Sequence, residues 1–126
     1  MTTKCTRMAF LLILLFFFAS ISYAGSIKGI YITQSSLENT KLINYLIENA
    51  KAAGIDTFVV DLEIPSKRYR ENIALLKENN IKYVARIVMF PDGGTRAQVK
   101  DPERWQRKYA LVKQAVDWGA SEIQLD

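Results

Sequence analysis

Hydrophobic and polar positions along the chain follow two periods, one typical of strands and one typical of helices. Four short runs rich in β-branched and aromatic residues predict strands at about residues 27–33, 57–62, 81–89 and 122–126. Between them, three longer stretches carry apolar residues at helical spacing and predict helices at about residues 37–53, 67–78 and 102–118. The predicted order is therefore β-α-β-α-β-α-β.

Several residues at the ends of these stretches are typical of helix caps. Ser35 followed by Glu38 matches a capping box, and Gly54 stands where the first helix is expected to end. Asp101 before a proline predicts the start of the third helix, and Gly119 predicts its end. The third helix is predicted to bury one apolar stripe, which consists of Trp105, Tyr109, Val112 and Val116.

Short strands that alternate with helices predict right-handed crossovers and a parallel sheet. The last predicted strand alternates strictly between apolar and polar residues, and a polar face in a parallel sheet indicates a site or a barrel mouth. A closed (β/α)₈ barrel takes about 250 residues. We therefore interpret residues 25–126 as the N-terminal half of such a barrel, truncated after its fourth strand. The alternative is a small flavodoxin-type α/β domain that is complete in itself.

The first 24 residues predict a secretory signal peptide. Lys4 and Arg7 form a basic start, residues 9–18 are an unbroken apolar run, and small residues lead to a cleavage site after Ala24. The apolar run is short for a membrane-spanning helix, which needs about 20 residues. The sequence therefore predicts a secreted or periplasmic protein that meets the membrane only during export. An uncleaved membrane anchor is the alternative.

Composition excludes several kinds of chemistry. Cys5 is the only cysteine and lies in the predicted signal peptide, and the sequence has no histidine. A disulfide framework, a histidine-dependent nucleophile and a Cys/His zinc site are therefore excluded. The formal net charge of +4 is too mild to indicate a nucleic acid partner. No phosphate-binding glycine motif occurs, so we expect no cofactor. No metal ligands are assigned either, because a carboxylate-lined mouth could hold Ca²⁺ but no loop has the ligand spacing.

Polar side chains of all four predicted strands share one face. Ligands gather at the carboxyl ends of parallel strands, and alternate strand residues face the same side. The residues that this places together are Tyr31, Thr33, Asp61, Glu63, Arg86, Glu122, Gln124 and Asp126. Arg86 lies within an apolar strand and needs a carboxylate partner, for which Asp61 and Asp126 are the candidates. A purely structural ion pair and solvent-exposed strand ends are the simpler alternatives.

Four segments of the chain resemble the first four strands of one protein family. They read K-G-I-Y-I-T at 28–33, F-V-V-D at 58–61, V-A-R-I-V at 84–88 and G-A-S-E-I-Q-L-D at 119–126. The family is an uncharacterised group of glycoside hydrolase-like proteins with an α-amylase-like (β/α)₈ barrel, whose fourth strand looks like E-I-Q-F-D followed by Y-I-R-F-P. Here Leu125 replaces the aromatic residue, and the chain ends before the second part. The resemblance spans residues 27–126, about half of the family domain.

The resemblance implies a glycoside hydrolase that acts on a polysaccharide or a cell-envelope glycan. Glycoside hydrolysis generally uses two carboxylates, which fits a chain without histidine. We expect Asp126 to be the nucleophile or base and Asp61 to be the second catalytic carboxylate. The expected substrate-binding residues are Tyr31, Glu63, Arg86 and Gln124. Because four strands cannot close a barrel, the 126-residue chain is expected to be inactive alone. A non-catalytic carbohydrate-binding or scaffolding protein is the alternative.

Overall fold

A computed structural model describes residues 26–126, so the predicted signal peptide lies outside the described residues. The elements are β1 (Gly29–Ile32), α1 (Gln34–Glu38), α2 (Thr40–Ala53), β2 (Thr57–Asp61), α3 (Lys67–Glu78), β3 (Lys82–Ile87), α4 (Arg96–Lys100), α5 (Pro102–Asp117) and β4 (Glu122–Leu125). All strand pairs are parallel, in the order β1-β2-β3-β4. The predicted α/β fold with a parallel sheet is confirmed. Among the described helices, none is long and apolar enough to cross a membrane.

The hydrophobic core lies on one face of the sheet. The strand residues on this face are almost fully buried against α2, α3 and α5; they include Phe58, Val60, Leu62, Tyr83, Ala85 and Ile87. The alternate residues face the other side, where Tyr31 is 53% exposed. Right-handed crossovers that always step in the same direction bring every helix to the same face. The second face, which we call the open face, therefore has no helix over it within residues 26–126.

The winding of the sheet differs from that of the flavodoxin type. A flavodoxin-like sheet has the strand order 2-1-3-4-5 and carries helices on both faces. Here the strands follow chain order and the core is a single cluster on one face. The flavodoxin-type alternative is therefore wrong about the winding of the sheet.

The prediction of one first helix with a capping box at Ser35 and Glu38 is wrong. Thr33 caps the start of α1, and Asn39 follows the last residue of α1. The side chain of Asn39 also caps the start of α2, where it accepts a hydrogen bond from the Leu42 amide at 3.1 Å. The side chain of asparagine competes with the helix for backbone amides, so it interrupts a helix and restarts it. Two short helices therefore replace the single predicted one.

The other helix ends agree with the predicted residues. Gly54 and Gly119 adopt left-handed backbone conformations, with φ of 69° and 83°. Asp101 caps α5 by accepting from the Glu103 amide at 3.0 Å. The short helix α4 has a capping box that the sequence analysis did not predict, formed by Thr95 and Gln98.

The predicted buried stripe on α5 is wrong for three of its four residues. Trp105, Tyr109 and Val116 are 44%, 70% and 57% exposed, whereas Val112 is partly buried and Ala115 is fully buried. Helix α5 packs on the sheet through a narrower line of side chains. Within residues 26–126, no element covers the outer flank of α5, so the apolar periodicity there has no partner.

Two buried tyrosines link α3 to β3. The hydroxyl oxygens of Tyr69 and Tyr83 lie 3.0 Å apart, and their rings meet edge to face with centroids 6.2 Å apart. Burial raises the pKa of Tyr83 to about 12 and raises the pKa of Tyr69 further. Both hydroxyls are therefore expected to stay protonated in the folded protein at pH values where exposed tyrosines ionise.

This tyrosine pair is expected to make folding stability fall in alkali. A raised folded-state pKa means that the unfolded state loses its proton first, so the stabilisation is complete below pH 10 and is lost as pH rises towards 12. The rise in the Tyr83 pKa corresponds to about 3 kcal/mol. Urea unfolding between pH 8 and 12 measures the decline. The decline in the free energy of unfolding with pH should be shallower in the double variant Tyr69→Phe/Tyr83→Phe than in the wild type. It should be unchanged in Tyr45→Phe, a control at an exposed position of α2. Equal profiles for all three proteins would contradict the assignment.

Candidate functional site

The register of the sheet aligns polar residues at the carboxyl ends of its strands. Asp61 lies opposite Arg86, and Arg86 lies opposite Gln124. Beyond the end of β4, the Asp126 amide donates to the Ile87 carbonyl at 3.1 Å. Parallel pairing therefore extends to Asp126 and places its side chain beside Arg86.

Arg86 bridges two carboxylates on the open face. Its Nη1 donates to Asp61 Oδ1 at 2.7 Å, and its Nη2 donates to Asp126 Oδ2. The hydroxyl of Tyr31 donates to Asp61 Oδ2, and the Arg86 guanidinium lies 5.4 Å from the centroid of the Tyr31 ring. The expectation that Arg86 pairs with Asp61 or Asp126 is confirmed, since it pairs with both. We call Tyr31, Asp61, Arg86 and Asp126 the carboxylate cluster.

The members of the carboxylate cluster differ in exposure and in protonation. The side chain of Asp61 is 8% exposed, whereas that of Asp126 is 52% exposed. The hydrogen bond with Asp61 raises the pKa of Arg86. The hydrogen bond to the Asp61 carboxylate, together with burial, raises the pKa of Tyr31, so its hydroxyl is a stable donor. Asp61 is thus held on both oxygens, while Asp126 is the more exposed carboxylate of the two.

A solvent-open cavity of about 410 Å³ adjoins the carboxylate cluster on the open face. It is lined by Tyr31, Val59, Arg86 and Gln124. Gln124 offers an exposed amide, Tyr31 offers a ring face, and Val59 forms an apolar floor. An amide and an aromatic face beside carboxylates can bind a polar ligand that also has an apolar side. Within residues 26–126, no group of three or more His, Cys, Asp or Glu side chains is arranged to hold a metal.

Glu63 is not part of the carboxylate cluster, contrary to the sequence prediction. Strand β2 ends at Asp61, and the chain then turns, so the alternation of faces stops before Glu63. The amide of Glu63 donates to Gln34 Oε1 at 2.8 Å, and its exposed side chain lines a separate cleft next to α5. Thr33 is likewise used as the cap of α1.

Gln34 holds the loop after β2 in place through hydrogen bonds, and this role was not predicted from the sequence. Its Oε1 accepts from the amides of Glu63 and Ile64, and its Nε2 donates to the Ile64 carbonyl at 2.7 Å. This side chain therefore ties the end of β1 to the loop that follows Asp61. The signal is weak in the sequence because a glutamine near a helix start resembles any exposed polar residue.

Comparison with known proteins adds a fold relative. No family model matches this chain, and a search of curated proteins found no match. The structure is similar to the crystal structure of a hypothetical protein from Ruminiclostridium thermocellum ATCC 27405, with a TM-score of 0.61 and 19% sequence identity. The similarity covers 77% of this chain and 75% of that chain. At this identity the similarity shows a shared α/β fold and carries no information on activity.

Proposed function

We propose that residues 26–126 are four consecutive strands of a (β/α)₈ barrel, together with the helices that connect them. Strands in chain order and helices on one face support this, because a barrel repeats that arrangement until it closes. In the described part of the chain, β1 and β4 each pair with a single neighbour, which leaves the two edges that further strands would join. The open face would then be the inside of the barrel.

We propose further that the carboxylate cluster belongs to a glycoside hydrolase site. The observation that carries this is the bridge from Arg86 to Asp61 and Asp126 at the carboxyl ends of the strands, where sites of such barrels lie. Glycoside hydrolysis generally uses two carboxylates near the scissile bond, and Asp126 would be one of them. The resemblance of residues 27–126 to glycoside hydrolase-like proteins supports the same activity, and it gives a polysaccharide or cell-envelope glycan as the substrate class.

The geometry divides the roles of the two carboxylates. Asp126 is about half exposed and pairs with Arg86, which lines the cavity, so it takes the role of nucleophile or general base. Asp61 has both oxygens occupied by Arg86 and Tyr31, so it positions Arg86 and acts on the substrate through it. The general acid would be a further group, because both oxygens of Asp61 are occupied and Asp126 takes the other catalytic role.

A second candidate function is carbohydrate binding without catalysis. The observation that favours it is that every titratable side chain of the carboxylate cluster already makes a hydrogen bond or ion pair to another member of the cluster. In this case the exposed Gln124 amide and the Tyr31 ring would hold the sugar, and Asp126 would accept hydrogen bonds from its hydroxyls. Glycan affinity without release of reducing sugar from a complete barrel would distinguish this function from hydrolysis.

The proposal includes export by the signal peptide of residues 1–24.

Titration of the purified protein with oligosaccharides tests both forms of the proposal. Gln124→Ala is expected to weaken calorimetric affinity by about fivefold, because it removes one hydrogen-bonding group worth about 1 kcal/mol. Lys113→Ala is a matched control, since Lys113 is exposed on α5 away from the cavity. No affinity for any neutral or acidic glycan, in a protein that unfolds cooperatively, would contradict a carbohydrate site on the open face.

A further inference from the structure

A second cleft lies between the loop after β2 and helix α5. Its volume is about 610 Å³, and the polar and loop residues that line it are Glu63, Pro65, Arg104, Arg107, Lys108 and Gln114. It shares no lining residue with the cavity beside the carboxylate cluster. The cleft is therefore a separate concave surface, large enough for a sugar-sized group.

Three cations converge on this cleft from one face of α5. Arg104, Arg107 and Lys108 are spaced three and four residues apart, so their side chains are neighbours on the helix surface. Arg107 has only long ion pairs, to Asp101 at 3.8 Å and Glu103 at 3.6 Å, and such exposed pairs contribute little. Among residues 26–126, no carboxylate lies within ion-pair distance of Arg104 or Lys108. We call these three side chains, with Glu63 opposite them, the basic cleft.

Arg104 is held in place but keeps unused hydrogen-bonding capacity. Its guanidinium lies 5.7 Å from the centroid of the Phe90 ring, and its Nη1 donates weakly to the Met89 carbonyl at 3.5 Å. Its Nε is buried and has no hydrogen-bond partner in the described part of the chain. The guanidinium as a whole therefore makes few hydrogen bonds within the described residues, and an anion in the cleft would accept charge-assisted hydrogen bonds from its terminal nitrogens.

The electrostatics of Lys108 agree with this arrangement. Burial lowers the pKa of Lys108, and the positive charges of Arg104 and Arg107 lower it further, while Glu63 acts in the opposite direction. Like charges crowded at a partly desolvated position favour a bound counter-charge. Asp101 and Glu103 lie near Arg107, so the positive charge without an ion pair among residues 26–126 is that of Arg104 and Lys108.

The basic cleft lies near the carboxylate cluster. Glu63 follows Asp61 by two residues, and its negative charge acts on both Tyr31 and Lys108. Glu63 also lines the cleft, so a ligand of several sugar units that extended from the open-face cavity past Glu63 would bring an anionic group to the three cations.

We propose that the basic cleft binds an anionic group, either carboxylate, sulfate or phosphate, carried by the glycan that occupies the open face. The inference deepens the proposed function and rests on it, because it assigns the substrate class as acidic glycans. The cleft can nonetheless be tested on its own with small anions, since it shares no residue with the carboxylate cluster.

Isothermal titration of the purified protein with sodium glucuronate, inorganic phosphate and glucose tests the cleft. We expect both anions to bind and glucose not to bind there. Arg104→Gln/Lys108→Gln should weaken anion affinity by at least about tenfold, since it removes two charge-assisted donors. The matched control Lys113→Gln, on the same helix outside the cleft, should stay within about twofold of the wild type. A preference for glucuronate over phosphate would assign a carboxylated sugar, and the reverse would assign a phosphorylated one.

Three outcomes would overturn the inference. They are unchanged anion affinity in the double variant, an equal loss in Lys113→Gln, and binding of a short DNA strand that is tighter than that of a uronate-containing oligosaccharide. The proposed function fails differently. If anions bind and the double variant abolishes their binding, but no glycan binds the open face, the cleft stands as an anion site and the glycan assignment falls.

Discussion

Replacing Phe58 by alanine is expected to lower the free energy of unfolding by about 3–5 kcal/mol, whereas replacing its neighbour Val59 is expected to lower it by about 1 kcal/mol. Phe58 is fully buried on the helix-covered face of β2, the strand between β1 and β3. Val59 points to the open face and is only partly buried. The two adjacent residues therefore compare the two faces of one strand.

The size of the Phe58 effect follows from the size of the fold. A domain of about 100 residues has a stability of about 5–15 kcal/mol, so this single cavity removes a large part of it. Thermal and urea unfolding of the two variants and the wild type measure the difference, and we expect the Tm of Phe58→Ala to fall by at least about 15 °C. If Val59→Ala costs as much as Phe58→Ala, the open face is covered in solution, and the cavity described on it is not accessible to a ligand.

Much of the site arrangement follows from two simple properties of the sequence. Alternation within a strand depends only on local geometry, so it placed Tyr31, Asp61, Arg86 and Asp126 on one face without knowledge of the fold. Consecutive pairing of parallel strands then brought residues 25 to 55 positions apart into contact. The need of a half-buried guanidinium for a carboxylate predicted the Arg86 ion pairs.

The same rule failed at Glu63 because it was applied one step beyond the strand. Alternation requires extended backbone, and β2 ends at Asp61. The bond from the Glu63 amide to Gln34 shows what replaces the strand pairing there. That contact joins residues 29 positions apart, and no local pattern encodes it. The loop, and with it the basic cleft, could be found only in the structure.

The helix predictions were wrong where hydrophobic periodicity gave no information on which element packs against the helix. The helical spacing of Trp105, Tyr109 and Val116 was recognised correctly, but spacing identifies an apolar flank without showing whether another element covers it. These side chains are exposed among the described residues. The error at Asn39 was of a different kind. Apolar residues at helical spacing continue through 37–53, so one helix was predicted, whereas the Asn39 side chain caps a new helix and divides the segment in two.

The carboxylate cluster and the basic cleft are compatible with a single mode of ligand binding. The carboxylate cluster is locked by internal hydrogen bonds, so it offers a rigid site at the strand ends. In the basic cleft, Arg104 and Lys108 have no ion pair among residues 26–126, whereas Arg107 has two long ones. If the proposed function and the proposed anion site both hold, a glycan with negative groups at intervals would be repelled by Asp126 and attracted by the cations of α5, so an uncharged sugar unit would lie at Asp126.

Replacing Asp126 by asparagine is expected to reduce glycan hydrolysis on the order of a thousandfold or more, measured as reducing-sugar release by the complete eight-stranded protein that the barrel proposal implies. Asparagine keeps the shape and can still accept a hydrogen bond from Arg86, but it is neither a nucleophile nor a base. Folding should be preserved because the Asp126 side chain is about half exposed.

Asp92→Asn is the matched control, since it makes the same chemical change at an exposed position in the loop after β3 and should leave activity within about twofold. Asp61→Asn separates positioning from catalysis. It loosens Arg86 and frees the Tyr31 hydroxyl, so it should reduce both stability and turnover, whereas Asp126→Asn should reduce turnover alone. Full activity in Asp126→Asn would remove Asp126 from the mechanism. Retained glycan affinity with no hydrolysis even in the wild-type barrel would instead assign the open face to binding.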